Sequence, residues 1–172
     1  MDARKLLLDA SVAIDYARCG RVILAIAAKH FASVILLVPI LAEVGALNAA
    51  QCATLGISVE EPATSQALEA ARLAATRPRR LSFRDQLCRV YAREEGCVCV
   101  TADRNLERAC LADGTSVLRG LALMYELVSA GELSVTAAIS VAETISTTNT
   151  WLLRATIDEF ISKVKTVREG IP

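Results

Sequence analysis

One histidine, one tryptophan and three each of tyrosine and phenylalanine leave this 172-residue chain poor in imidazole and aromatic chemistry. There is no CxxC pair, and only His30 is available to help bind zinc, so the six cysteines (Cys19, Cys52, Cys88, Cys97, Cys99 and Cys110) do not make a zinc site. They fall in apolar surroundings, which suits reduced thiols acting as small hydrophobes and points to the cytoplasm. Charge of either sign is not in excess: Lys+Arg and Asp+Glu balance at 19 each, so net charge neither attracts nor excludes a polyanion. Long apolar runs are also missing. The most apolar stretch, Phe31 to Ala42, is too short to span a bilayer and is interrupted by Pro39, and Asp2, Arg4, Lys5 and Asp9 crowd the start where a secretory leader would be apolar. A soluble protein with no membrane partner is expected. No internal repeat or low-complexity tract breaks the chain.

What is present is a hydrophobic content of 53%, enough over this length for one well-buried core. The clearest stretch runs from Leu81 to Leu106. Ser82 suits a helix N-cap with Asp85 at N3; Leu87, Val90 and Tyr91 repeat at helical spacing; Gly96 suits a left-handed stop. Cys97 to Thr101 then reads as a strand buried on both faces, ending near Asp103. Lys5 to Leu8 predicts another buried strand, with Asp9 or Ser11 near the start of a helix. Arg21 to Phe31 predicts an amphipathic helix using Val22, Ile23, Ile26 and Ala27, and Ser33 to Val38 a second strand. Pro39 suits N1 of the next helix, which places Glu43 about one turn in. A short strand is expected at Ile57 to Val59. A helix follows from Thr64 to Thr76, with Leu68, Ala71 and Ala75 on its apolar face. Beyond Asp103 come a helix from Arg104 to Ala112, a turn at Asp113-Gly114 and a strand from Ser116 to Leu118. This alternation argues for an α/β fold with a parallel sheet and right-handed crossovers over residues 1–120. Residues 121–172 read as helices packed on that domain: Leu121 to Ser129, Val135 to Ser146, and Asn149 or Thr150 to Val167.

Asp9, Glu43, Asp85 and Asp103 all fall at strand or helix ends. Each has an ordinary role as an N-cap or first-turn acid. A parallel sheet, however, would bring all four to the carboxyl edge, where ligands gather. Carboxylates so placed repel unless a cation sits among them, and Mg²⁺ or Mn²⁺ is the natural hard, oxygen-seeking choice. Arginines crowd the same region: Arg72, Arg77, Arg79, Arg80, Arg84, Arg89, Arg93, Arg104 and Arg108. Singly each suits a solvated face; together they suit phosphate contacts.

The series LLLDASVAIDY, PILAEV, SFRDQLCRVYA and VCVTADRNL resembles the PIN domain, the nuclease fold of many toxin–antitoxin toxins of the VapC type, over roughly Leu6 to Leu118. The resemblance implies a three-layer α/β/α fold with about four to five parallel strands and extra C-terminal helices. It further implies a Mg²⁺- or Mn²⁺-dependent endoribonuclease that hydrolyses RNA and partners an antitoxin. Asp9, Glu43, Asp85 and Asp103 would be the catalytic, metal-binding carboxylates, with Ser11, Thr101 and Asn105 in support. Arg80, Arg84 and Arg104 are candidates for RNA contact, and apolar helix faces suggest a homodimer. Asn105 stands where many members carry another acid, which leaves the second metal open, and Leu106 replaces a common aromatic. The longer tail, beginning at Arg119-Gly120-Leu121, resembles a less characterised branch of these proteins.

The main alternative is a non-catalytic PIN-like protein that binds RNA or another protein. A phosphatase or receiver-like enzyme ranks last, because Asp9-Ala-Ser11 lacks a second aspartate. Among the other polar residues, Asp15 is expected to face solvent, Glu107 to be a surface acid and His30 to be structural. Trp151 is expected to anchor the last helix in the core or a dimer seam.

Overall fold

A computed structural model describes residues 2–76 and 81–167. Its centre is β1 (Asp2–Leu8), where Leu6, Leu7 and Leu8 lose essentially all contact with solvent. Each such leucine contributes about 1.5–3 kcal/mol on burial. An uninterrupted apolar run of this kind has no solvated face, which is why it occupies the middle of a parallel sheet. It pairs on one side with β2 (Phe31–Leu37) and on the other with β4 (Val98–Val100), with Leu7 opposite both Ile35 and Cys99. β3 (Ser58–Glu60) and β5 (Val117–Leu118) complete an all-parallel sheet in the order β3-β2-β1-β4-β5.

Helices cover both faces to give a three-layer α/β/α architecture. The connecting helices are α1 (Ala10–Cys19), α2 (Arg21–His30), α3 (Val38–Val44), α4 (Ala49–Leu55), α5 (Thr64–Thr76), α6 (Phe83–Glu95) and α7 (Arg104–Ala112). Three more follow the last strand: α8 (Gly120–Ser129), α9 (Val135–Thr148) and α10 (Arg154–Lys165). They pack on α1 and α2 and on one another, and Leu123, Leu127, Ile157 and Val164 join the same buried cluster as β1. Among the described residues no single helix is long and apolar enough to cross a membrane.

Several sequence expectations shift. α4 falls where the apolar pattern of the sequence is weak; Asn48 and Gln51 form a capping box at its start, and Cys52 is its one fully buried apolar anchor. β2 begins at Phe31, which the sequence assigns to the preceding helix, and Pro39 lies at the second rather than the first position of α3. On α5 the expected apolar face is the wrong one: Leu68 is 67% exposed and Ala71 and Ala75 also face solvent. The buried face carries Gln66 and Ala70 instead. Gln66 accepts from the Ala63 N–H and donates to Glu95 of α6, so a satisfied amide and a small alanine meet the neighbouring helix. α10 begins at Arg154, because Asn149 closes a turn onto the Trp151 N–H rather than starting a helix. Trp151 is 93% exposed and anchors no core.

Candidate active site at the carboxyl edge of the sheet

The strand order reverses beside β1: the chain moves outward through β2 and β3, then returns to lay β4 on the opposite side of β1. In an open parallel sheet this switch leaves a crevice beyond the two carboxyl ends, since the following helices depart to opposite faces. Asp9 directly follows β1, and Thr101 to Asp103 directly follow β4. The Asp9 N–H donates to the Val100 carbonyl at 2.9 Å, tying the two strand ends together.

Asp9 is the N-cap of α1 and is only 4% exposed. Its Oδ1 accepts from the Ala10 N–H at 2.7 Å. Its Oδ2 accepts from two hydroxyls, Ser11 Oγ at 2.7 Å and Thr101 Oγ1 at 2.9 Å. Each hydroxyl accepts in turn from the β4–α7 turn: Ser11 Oγ from the Ala102 N–H at 3.2 Å, Thr101 Oγ1 from the Asp103 N–H at 3.0 Å. Ser11 and Thr101 thus brace a carboxylate between two strands. Burial raises the Asp9 carboxyl above its ordinary range; the hydroxyl bonds from Ser11 and Thr101 oppose the rise, and the charge of Asp85 adds to it.

Asp85 lies at N3 of α6, in a reciprocal capping box. Its Oδ2 accepts from the Ser82 N–H at 2.7 Å, while Ser82 Oγ accepts from the Asp85 N–H at 3.2 Å. The second carboxylate oxygen takes no hydrogen bond among the described residues. Asp103 caps α7, with Oδ1 accepting from the N–H groups of Asn105 and Leu106 at 2.6 and 2.8 Å. Its Oδ2 is likewise uncommitted among the described residues. Glu43, exposed near the end of α3, stands 3.5 Å from Arg84 Nε, whose N–H is donated to the Pro39 carbonyl at 3.1 Å.

Cys88 is fully buried in α6. Burial pushes its thiol up, and the charges of Asp9, Asp85 and Glu43 push it further. Leu106 is fully buried beneath the turn, while Asn105 is exposed. The donors along this rim are carboxylate oxygens, which by chemistry suit a hard divalent cation. Among the described residues, however, no three His, Cys, Asp or Glu side chains already converge into a ligating group.

Two of the arginines grouped by sequence are committed elsewhere. Arg89 makes a bidentate pair with Asp113 at 2.7 Å, and Arg93 pairs with Glu69 at 3.1 Å. Arg84 and Arg104 remain exposed beside the acidic rim. Arg77, Arg79 and Arg80 lie outside the described residues.

Asp15 departs from expectation. It is half-buried and accepts from Asn149 Nδ2 at 3.1 and 3.0 Å, joining α1 to the turn after α9. No sequence signal paired these residues, which stand 134 positions apart. Glu107 pairs with Arg119 at 3.1 Å, and His30 packs edge-on against Phe31.

Fold and site together define a doubly wound parallel α/β protein with an acidic rim at its switch point. No protein-family model and no curated protein matches the chain.

Proposed function

We propose that this protein is a divalent-metal-dependent endoribonuclease that hydrolyses RNA at the acidic rim, and that it belongs with the PIN domains its sequence resembles. The observation that carries the reading is Asp9: a carboxylate buried at the end of the central strand, braced by two hydroxyls on one oxygen and repelled by a neighbouring acid. Folding a charge into such a position is unfavourable, and a cation shared with Asp85 and Asp103 offsets that repulsion.

Asp9, Asp85, Asp103 and Glu43 are the residues that would hold Mg²⁺ or Mn²⁺. A bound ion of this kind supplies an activated water and neutralises charge on the phosphodiester. Thr101 and Ser11 fix the carboxylate plane of Asp9. The Asp103 cap fixes one oxygen and leaves the other available. Arg84 and Arg104 supply exposed positive charge for phosphates on either side of the cut. A role as the toxin of a toxin–antitoxin pair follows from the resemblance, with a partner that covers the acidic rim.

A second reading, a non-catalytic RNA- or protein-binding protein, draws on the Arg84–Glu43 approach, in which the chain provides its own cation for one of the four acids. Incubating total RNA with the wild type and with Asp9→Asn and Asp103→Asn, in Mg²⁺, Mn²⁺ or chelator, separates the two. Cleavage by the wild type alone, and only with metal, is expected. Equal cleavage by all three proteins would remove these residues from the mechanism, and absence of cleavage by any would favour the second reading.

A further inference from the structure

Between the sheet's carboxyl edge and the C-terminal helices lies a cavity of about 330 Å³. That volume lies within the range of pockets that hold small organic ligands. α1 lines it through Val12 and Tyr16, and α8 and α10 through Tyr125, Thr156 and Phe160. Ala102 and Arg104 also line it, and these are the two neighbours of Asp103, so the cavity abuts the acidic rim.

Its charged groups are of both signs. Arg104, Arg119 and Lys163 oppose Asp15 and Glu159. Arg119 is engaged by Glu107 at 3.1 Å, and Lys163 Nζ lies 4.3 Å from the centre of the Tyr125 ring. Asn149 holds the Asp15 carboxylate in place. The Tyr125 and Thr156 hydroxyls and the exposed Glu159 make no side-chain hydrogen bond among the described residues, so they can exchange water for a ligand at the cavity wall. A ligand that suits this lining combines an anion for the cations, hydrogen-bond donors for the carboxylates and an apolar ring for the wall that Val12, Leu121 and Tyr125 supply. A nucleotide has all three, and unpaired RNA bases are commonly held in this way, by aromatic faces and edge hydrogen bonds.

We infer that this seam cavity binds one nucleotide of the RNA strand adjoining the cut, its phosphate held by Arg104 and Lys163 and its base and sugar donors by Asp15 and Glu159. The inference rests on the ribonuclease reading and gives it a source of sequence preference.

Calorimetric titration of the full chain with AMP, CMP, GMP and UMP in chelator tests it without calling on catalysis. At least one nucleotide should bind wild type and Asp9→Asn equally. Lys163→Glu, at an exposed position, should weaken that binding by at least about tenfold. Ala122→Phe, which adds bulk at the cavity wall, should do the same, with circular dichroism confirming that both variants fold. Binding of no mononucleotide, or binding unchanged in both folded variants, would overturn the inference while leaving RNA cleavage to be judged separately. Mononucleotide binding without RNA cleavage would keep the pocket and sink the ribonuclease reading.

Discussion

The Asp9 carboxyl is the residue on which stability and chemistry meet. Because folding raises its proton affinity, the folded chain binds this proton more readily than the unfolded chain over the interval between the two values. Its favourable contribution is therefore present at acid pH and is lost as pH rises through that interval. Asp9→Asn removes the titration, so its stability relative to wild type should improve from acid to neutral pH in urea unfolding; a difference independent of pH would contradict the burial argument. Thr101→Val keeps the shape but strips Asp9 of a donor and the Asp103 N–H of an acceptor. The cost should be about 1–3 kcal/mol, read in the same unfolding experiment. Ser11→Ala, at a less buried position, should cost less. Asp9 and Asp103 were legible from sequence because an acid after an apolar run is visible in one dimension. That both hydroxyls bind the same Asp9 oxygen was not, since it depends on β1 and β4 lying side by side 92 residues apart.

α6 shows how an element carries a functional group through ordinary helix chemistry. The Ser82–Asp85 box starts the helix and orients the acid at once. Ser82→Ala should cost about 0.5–2 kcal/mol in thermal unfolding. The Ser82 backbone N–H that holds Asp85 Oδ2 survives the change, so RNA cleavage should fall no further than the stability loss explains; a larger fall would place the Ser82 hydroxyl in the site itself. On α7, the fully buried Leu106 should cost about 2–5 kcal/mol when cut to alanine. Helices with strong caps and an apolar stripe, such as α6 and α7, were readable nearly to the residue. On α5 the apolar pattern points to the wrong face because the inward contact is a glutamine whose bonds are satisfied by Ala63 and Glu95, which hydropathy alone scores as a solvent face. α4 escaped notice because only Cys52 marks its buried side, although Asn48 and Gln51 carried the cap signal.

At the scale of the whole molecule, the C-terminal helices are part of the core rather than an ornament. α8 buries Leu123, Met124 and Leu127, and α10 buries Ile157 and Val164. A chain ending at Leu118 uncovers the surface these residues occupy and removes much of the seam cavity. It should fail to unfold cooperatively by circular dichroism, whereas a sharp transition would show that the sheet stands alone. The pattern of the sequence predicts these helices but not that Asn149 reaches back to Asp15, a contact that ties the turn after α9 to α1. What decides the chemistry of the acidic rim is Mg²⁺ and Mn²⁺ binding by the wild type and Asp9→Asn, followed by exposure of both to total RNA. Metal binding and cleavage that both depend on Asp9 are the predicted result; a wild type that binds neither ion and leaves RNA intact when free of any partner would contradict it.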